Sequence, residues 1–360
     1  MEQAELEQII EKARIDRATN LHIDLDRESN ILPESLGKLT HLTRLHIRGH
    51  EIKIFPNILD KLINLTHLKI YSHKIIISEK FVAITGLIEL LMVSSQIEYL
   101  PNSIGSFINL TSLNLNSNCI QSIPDSIGNL ANLTYLGLYN NQLIIIPDSI
   151  GNLRSLTHLD LGYNNLTNIP NSINNLTKLS HLDLRNNKLR TIPTILGKLT
   201  CLTNLYLDVN LLTDLSILQD FPVLSQVSYF NVILPRRYWS KFSEWKSEWL
   251  LDEGNTKIRQ ILIEQLGYKK IFKDLNSLIL DMWREYTLLK IDDIEEVYDD
   301  DIEPGKRIFS HTEPIVLLKM TCPSTQHIHI LRVPPEITSA EAAITWINHG
   351  IHPDEFAVQT

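Results

Sequence analysis

The sequence predicts an α/β solenoid with a parallel sheet on its concave face, followed by a small α+β domain. Between Leu113 and Pro193 the pattern Leu-x-Leu-x-x-Asn-x-Leu/Ile-x-x-Ile-Pro occurs four times, with a constant period of 23 residues. A fixed period of this length is typical of a solenoid, in which each repeat packs on the next. After Pro235 the pattern stops, and the apolar residues take the spacing of separate helices and strands.

Each repeat contains a short stretch in which apolar and polar residues alternate, as from Ser112 to Asn116. Such alternation predicts a strand with one buried face. One strand cannot bury its leucines alone, whereas identical strands stacked about 4.8 Å apart form a parallel sheet and a continuous core. The solenoid is therefore predicted to cover residues 21–235 with about nine repeats.

An asparagine recurs where the chain leaves each predicted strand. A buried asparagine can bond the main chain of its own turn and of the neighbouring turn, which satisfies groups that would otherwise lack partners. We therefore predict a structural asparagine ladder formed by Asn118, Asn141, Asn164, Asn187 and Asn210.

The full pattern, Leu-x-x-Leu-x-Leu-x-x-Asn-x-Leu, resembles leucine-rich repeats of the 23-residue kind. The resemblance implies a leucine-rich-repeat solenoid. Ahead of it, residues 1–20 hold an amphipathic segment with Leu6, Ile9, Ile10 and Ala13 on one side. We expect this segment to form a capping helix, because an open solenoid end would expose core leucines.

Residues 236–360 are predicted to form a small α+β domain of unknown function. Asn255 and Gly267 have the residue types of a helix N-cap and a helix C-terminal cap. Thr338 and Glu341 have the spacing of a capping box. The predicted helices cover residues 236–251, 256–266, 268–280 and 338–348, and the predicted strands cover residues 286–291, 315–320 and 328–333.

Four stretches of this domain carry a second resemblance, which covers most of residues 236–360. The segments Arg284 to Ile291, Leu317 to Thr325, Leu331 to Pro335 and Gly350 to Glu355 resemble a domain family of uncharacterised function. It is found mostly in bacterial chains, some of which have similar repeats in front. Together the two resemblances imply a bacterial intracellular leucine-rich-repeat protein. They imply no activity and no catalytic residues.

The composition of the chain indicates which classes of partner and which cellular compartment to expect. The formal net charge is -9 and the pI is about 5.8, whereas a nucleic-acid-binding face is usually basic, so we expect no nucleic acid partner. No uncharged apolar run reaches the length of a membrane span, so we expect no membrane partner. The three cysteines, Cys119, Cys201 and Cys322, lack the pattern of a disulfide cap, which favours a reducing, cytoplasmic location.

The residues that flank the strand leucines are predicted to face away from the core, on the concave side. Tyrosines and arginines recur among them, and these residue types dominate interface hot spots. We expect a protein or peptide to bind there, so that the chain acts as a scaffold or interaction module. The sequence leaves the oligomeric state open and favours a monomer. The predicted partner-binding residues are Arg44, His46, Arg48, His67, Lys69, Tyr71, Tyr135, Tyr139, His158, Asp160, Tyr163, His181, Asp183, Arg185, Tyr206 and Asp208.

One group on this face has the residue types of a metal site. His158-x-Asp160 and His181-x-Asp183 lie on adjacent predicted strands, where four ligand-type side chains could converge on zinc. Duplication of a repeat also makes histidine and aspartate recur, and we favour this second interpretation.

A second such group lies in the C-terminal domain. His327-x-His329 shares one strand face, with Cys322 upstream. A half-exposed strand face is the commoner explanation, so the sequence predicts no metal and no cofactor for this chain.

The alternative function is an enzyme whose active site lies in residues 236–360, with the repeats as its substrate-recognition arm. The sequence contains no GxxxxGK[ST], GxSxG or HExxH motif. Because no nucleophile–base pair and no strong metal motif is visible, we favour a non-enzymatic interaction module.

Overall fold

The structure is a computed structural model, and it divides into two compact units, Met1–Phe242 and Ser243–Thr360, each described here by itself. The boundary predicted from the sequence, between residues 235 and 236, lies slightly earlier. The described residues are 3–25, 32–52, 56–59, 61–75, 84, 86–212, 215–239, 256–266, 270–271, 278–283, 286–291, 315–321, 328–333 and 336–347.

The first unit is built on an 11-stranded sheet whose strands follow one another in chain order. Strands β1 to β10 are parallel, and β11 turns back antiparallel on β10. The strands are β1 Asn20–Asp24, β2 Arg44–Ile52, β3 His67–Ile75, β4 Glu89–Val93, β5 Ser112–Asn114, β6 Tyr135–Gly137, β7 His158–Asp160, β8 His181–Asp183, β9 Asn204–Tyr206, β10 Gln226–Tyr229 and β11 Val232–Leu234. The predicted parallel-sheet solenoid is confirmed.

The N-terminal helix α1, Gln3–Ile15, covers the first repeat as predicted. Leu6, Ile10 and Ala13 are buried, and the helix packs on the short 3-10 helix Glu34–Lys38. Ile9, which was predicted on the same apolar face, is only half-buried.

The return segments between strands are mostly short 3-10 helices, each of which follows a proline in the regular repeats. Pro124, for example, is extended with φ -70 and ψ 152, immediately before the helix Asp125–Asn129. Proline suits this place because its N–H is not needed by the sheet and its φ is fixed. The other regular repeats have 3-10 helices Asn102–Ser106, Asp148–Asn152, Asn171–Asn175 and Thr194–Lys198, and less regular ones occur at Ser216–Asp220 and Arg236–Tyr238. A single α-helical turn, α2 Pro56–Leu59, takes the same role after β2.

The asparagines at the ends of the strands bond the main chain of two successive turns. In Asn164 the amide nitrogen donates to the carbonyl oxygens of Leu138 at 2.9 Å and Leu161 at 3.0 Å, and the amide oxygen accepts the N–H of Leu143 at 3.0 Å. The same three kinds of bond recur at Asn118, Asn141, Asn187 and Asn210. One side chain per repeat therefore satisfies main-chain groups where the strand ends.

A second ladder, which the sequence analysis missed, runs along the other end of the strands. The residue before most of the strands is a threonine or serine whose hydroxyl donates to the main-chain oxygen of its equivalent one repeat earlier, as Thr157 does to Thr134 at 2.9 Å. The other donors in the ladder are Thr43, Thr66, Thr111, Thr134, Ser180, Thr203 and Ser225. Every regular strand is thus held at both ends by a side chain.

Strands β2 and β3 have nine residues each and are longer than the others, and their repeats lack the asparagine. Histidines, His50 and His73, take its place and are exposed. Here the two strands continue to pair as far as Ile52 and Ile75. Main-chain N–H and C=O groups that the asparagine would otherwise bond are therefore satisfied by hydrogen bonds between the strands. Between β3 and β4 the register joins residues 22 apart, as His67 with Glu89, and the threonine of the hydroxyl ladder is replaced by Ile88.

On the return side, glycines of one repeat contact serines of the next. An added Cβ on Gly128 would lie 2.7 Å from the main-chain oxygen of Ser149, and Gly105 and Gly151 make equally close approaches to Ser126 and Ser172. Since the φ of Gly128 does not lie in the left-handed region, space alone requires glycine at this position.

The second unit contains a four-stranded antiparallel sheet in chain order: β12 Leu278–Trp283, β13 Tyr286–Ile291, β14 Ile315–Thr321 and β15 Ile328–Val333. Helices α3, Thr256–Leu266, and α4, Ala340–Ile347, are also described. The three predicted strands and these two helices agree with the sequence analysis, and the α+β class is confirmed.

Two local predictions for this unit were wrong. The predicted helix over residues 268–280 gives way to β12 from Leu278 onward, because a short apolar run fits either structure and here it pairs with β13. The last helix is capped by Ser339, whose hydroxyl accepts the N–H of Ala342 at 3.2 Å, and not by Thr338. The predicted helix over residues 236–251 lies outside the described residues after Trp239, which is buried in the first unit.

Replacing Asn164 by Leu should lower the free energy of unfolding by at least about 1–3 kcal/mol, because it leaves buried main-chain groups without partners. Asn168→Leu is the matched control, since Asn168 is exposed in the same repeat. Urea unfolding of both variants measures the difference. Equal shifts in the two variants would contradict the structural role of the ladder.

Replacing Gly128 by Ala should destabilise the solenoid by about 1–3 kcal/mol, because the new methyl group overlaps the next repeat. Gly86→Ala is the control, since its Cβ would meet nothing closer than 3.6 Å. Thermal unfolding should show a lower Tm for the first variant and an unchanged or higher Tm for the second. A Gly128→Ala protein as stable as the parent would show that the close approach is not needed.

Candidate binding surface

The open face of the sheet is formed by the strand residues that lie between and beside the buried leucines, and it corresponds to the predicted concave face. On strand β6, Leu136 is fully buried, whereas Tyr135 beside it is half-buried. Most of the predicted partner-binding residues are half-buried or exposed on this face. Two of them, Asp183 and Asp208, are 9% and 2% exposed.

The N-terminal part of the open face carries a row of rings. The rings of His22 and His46 lie 4.1 Å apart, His46 and Tyr71 lie 5.2 Å apart, and the guanidinium of Arg48 lies 6.0 Å from the ring of Tyr71. Burial, followed by the charge of His22, lowers the pKa of His46. A neutral His46 therefore packs between its neighbours as a ring.

The positive charge predicted for this part is partly neutralised within the chain. The Lys69 ammonium lies 2.9 Å from the Glu89 carboxylate, and the His67 ring lies 3.8 Å from the same side chain. Arg44 and Arg48 are exposed and form no ion pair among the described residues. They are the cations of this end that remain open to a partner.

The middle of the open face is aromatic. The ring centroids of Tyr139 and Tyr163 are 4.8 Å apart, as their offset of one register position predicts, and Tyr163 is 44% exposed. Tyr135 is the first residue of strand β6, and the chain continues from that strand to Tyr139. Burial raises the pKa of the Tyr135 phenol group. These three side chains form the tyrosine patch.

Two glycines, which the sequence analysis did not single out, allow the tyrosine rings to lie close to the sheet. The Tyr135 hydroxyl lies 2.8 Å from the place that a Cβ of Gly137 would occupy. The ring of Tyr139 lies 3.2 Å from the corresponding place on Gly162. Any larger residue at either position would push the ring away.

Asp160 lies beside both glycines. In the sheet it is paired in register with Gly137 on one side and Asp183 on the other, and its carboxylate accepts the N–H of Gly162 at 3.2 Å. Burial first, and then the negative charge of Asp183, raises the pKa of Asp160 from its ordinary value of 3.8 to about 6.

The neighbouring aspartates are engaged within the chain. Asp183 accepts the Nε–H of Arg185 at 3.0 Å and its Nη2–H at 2.5 Å, and the Arg185 guanidinium lies 5.2 Å from the ring of Tyr206. The hydrogen bond to Asp183 raises the pKa of Arg185. Asp208 accepts the hydroxyl of Ser228 and the N–H of Asn231.

The sequence analysis placed Asp183 and Asp208 among the partner-binding residues, and this assignment stays a prediction. Both carboxylates are buried because local donors claim them: Arg185 in one case, Ser228 and Asn231 in the other. The alternation of residues along the strand assigned both aspartates to the open face, but it carries no information about which donors lie next to their carboxylates.

His158 and His181 stack on each other, with ring centroids 4.2 Å apart and planes inclined by 13°. The Nδ1 of each ring contacts the hydroxyl before it in the chain, Thr157 at 2.9 Å and Ser180 at 2.8 Å. Each hydroxyl also lies within hydrogen-bond distance of a main-chain oxygen one repeat earlier, and that oxygen already accepts two N–H groups. The single hydrogen of each hydroxyl can therefore go to that oxygen or to the ring, and the ring tautomer follows from this choice.

The structure describes the first of the two predicted metal-type groups and most of the second lies outside the described residues. Among the described residues, no group of three histidine, cysteine, aspartate or glutamate side chains could hold a metal ion. Cys322 and His327 lie outside the described residues, and His329 is placed in β15 without a described side chain.

Comparison with known proteins places these repeats in a known structural class. Residues 117–250 match the sequence model of a family described as a leucine-rich repeat region. A solved leucine-rich-repeat protein of Leptospira interrogans is 32% identical, with a TM-score of 0.56, over 61% of this chain and 56% of that chain. This chain therefore matches little more than half the length of the Leptospira protein. No curated protein matches the chain.

A plant structure is also similar. The leucine-rich-repeat ectodomain of a membrane receptor kinase of Arabidopsis thaliana, solved in complex with Casparian strip integrity factor 2, is 30% identical. Its TM-score is 0.49, and the match covers 57% of this chain and 25% of the receptor.

Within the described part of the chain, no helix has both the length and the apolar character needed to cross a membrane.

Asp160→Asn should raise the Tm at pH values above 6 and have less effect as the pH falls toward 3.8. The folded-state pKa is raised, so ionised Asp160 destabilises the folded protein, and protonation removes this effect between those two pH values. Thermal unfolding across this range, with exposed Asp16→Asn as control, is the measurement. A Tm difference that does not change with pH would contradict the raised pKa.

Proposed function

We propose that the open face of the solenoid binds a protein or peptide segment, and that the chain acts as an interaction module. The observation that carries the proposal is the tyrosine patch of Tyr135, Tyr139 and Tyr163. Its rings lie on the solvent side of a sheet whose core is complete without them, since the leucines beneath are fully buried.

The rings are also held in place before any partner arrives. Gly137 and Gly162 leave the space in which Tyr135 and Tyr139 lie, and Tyr163 packs on Tyr139. A tyrosine offers a large contact area at a low cost in side-chain entropy, and its hydroxyl tolerates water when the surface is free. A pre-arranged aromatic patch of this kind fits binding better than a merely solvated sheet.

The charges beside the patch refine the kind of segment that would fit. Arg44 and Arg48 are open cations toward the N-terminal end, and Asp160 is an unpaired carboxylate toward the C-terminal end among the described residues. The partner segment that fits is acidic where it meets the arginines and basic where it meets Asp160.

Several finer expectations belong to this proposal. A cytoplasmic location is supported by Cys119 and Cys201, which are free cysteines. A bacterial source is supported by the similarity to the Leptospira protein. Four further expectations stay predictions that rest on the sequence arguments alone: no nucleic acid partner, no membrane partner, a monomeric state and no enzymatic activity.

Changing Tyr135, Tyr139 and Tyr163 together to Ala should weaken peptide binding by at least about tenfold, because hot-spot tyrosines contribute 1–2 kcal/mol or more each. The measurement is the selection of a random-peptide library on the full chain, followed by titration of the selected synthetic peptides. The Tm of the variant is measured alongside.

The control changes exposed apolar residues off the open face, Tyr99, Ile108 and Ile145, to Ala. This variant should bind the selected peptides as the parent does. If the peptides bind the tyrosine variant with unchanged affinity, or if the selection yields no binder, the open face is not the binding surface.

A further inference from the structure

The surroundings of Asp160 differ from those of every other carboxylate described on the open face. Of its four nearest positions on the face, two are glycines, Gly137 and Gly162, and the others are His158 and Asp183. The glycines contribute no side chains of their own, so neighbouring side chains lie over them: Asn116 and Tyr135 over Gly137, and Asp183 and Tyr139 over Gly162.

The two rings among these side chains belong to Tyr135 and Tyr139. The hydroxyl of Tyr135 lies over Gly137 and the ring edge of Tyr139 lies over Gly162, so an aromatic side chain borders the carboxylate on each glycine side. Such rings can pack against the apolar stem of a long basic side chain, and the Tyr135 hydroxyl oxygen can accept a hydrogen bond from its head group.

Asp160 forms no ion pair in the described part of the chain. Its only hydrogen bond there comes from the N–H of Gly162. Arg185 is bound to Asp183 through Nε and Nη2 and stacks over Tyr206, and its positive charge acts on Asp160 only at longer range. The site thus holds one carboxylate in an ion pair, Asp183, next to one that forms none, Asp160.

The hydrogen bond to Gly162 does not explain why this residue is charged. On β5, Asn114 accepts the N–H of Asn116 at 3.1 Å in the same geometry, with no charge. An asparagine at position 160 could therefore form the same hydrogen bond, so the fold does not require a charged side chain there.

The two stacked histidines lie along the same strands. The rings of His158 and His181 are 4.2 Å apart, and each contacts the preceding hydroxyl through Nδ1. The site consequently offers a carboxylate bordered by imidazole and tyrosine rings.

We propose that this site, bordered by Asp160, Tyr135, Tyr139, His158 and His181, holds a lysine or arginine side chain of the bound segment. The proposal rests on the peptide-binding function proposed above and specifies one side chain of the ligand. An acidic group is excluded by the carboxylate. A bare metal ion would need more ligating groups than converge here. A lysine or arginine matches the site because its head group supplies several N–H donors and a positive charge for the carboxylate, and its apolar stem can lie along the rings.

The experiment uses the peptides selected on the full chain and a cycle of two changes. Each lysine or arginine of a selected peptide is replaced by norleucine or citrulline, which keep the length and remove the charge. The protein change is Asp160→Asn, which retains the hydrogen bond to Gly162. Replacing one particular basic residue of the peptide should weaken its binding to the parent protein by about tenfold or more. The Asp160→Asn protein should bind the unmodified peptide with a similar loss of affinity. The two changes together should weaken binding little more than either change alone.

Asp220→Asn, an exposed carboxylate away from the open face, is the matched control and should leave peptide affinity unchanged. Selected peptides that depend on the tyrosines but lack a basic residue, or whose affinity is the same for the Asp160→Asn protein, would overturn this proposal and leave the peptide-binding function standing. Additive losses in the cycle would also overturn it. Peptides that are indifferent to the tyrosine variant, or an empty selection, would overturn both proposals.

Discussion

Hydrogen bonds from side chains to the main chain, at both ends of very short strands, support the whole solenoid. The regular strands β5 to β9 have three residues each, which is too few for sheet pairing alone to satisfy the chain where it turns. Asn164 and its equivalents satisfy the turn after the strand, and Thr157 and its equivalents join the repeats before the strand. The leucine core adds hydrophobic stabilisation, but these bonds fix which residue faces which.

Features that recur with the period could be predicted from the sequence. The asparagines, the strand leucines and the prolines repeat every 23 residues, so a single pattern assigns all of them. The hydroxyl ladder recurs equally and was visible at Thr111, Thr134 and Thr157, but threonine is common on solvated strands and its partner is a main-chain atom. Strand β12 was not predicted because it is a single apolar run, and a run that does not recur along the chain has no period that separates a strand from a helix.

The binding surface was predictable in outline and not in detail. Register alone placed Tyr139 beside Tyr163 and put the aspartates on the open face. Which carboxylate stays available depends on the neighbouring side chains: Arg185 binds Asp183, and Ser228 binds Asp208. A glycine is the least conspicuous residue in a strand, so the role of Gly137 and Gly162 emerges only when the tyrosine rings are seen lying over them.

The steps between neighbouring strands have a consequence for how such a chain can change over evolutionary time. Loss or gain of a single residue shifts every later side chain against its equivalent, so it should be selected against wherever buried asparagines stack on one another. The register step is 24 residues between β1 and β2, and 22 residues between β3 and β4 and between β9 and β10. At each of these places at least one of the two repeats lacks the ladder asparagine, although Thr43 and Ser225 continue the hydroxyl ladder at the first and the last of them. From β4 to β9 the register keeps its step of 23. Lineages of this chain should therefore gain or lose whole repeats in its regular part, and accumulate single-residue insertions and deletions only outside the run of ladder asparagines from Asn118 to Asn210.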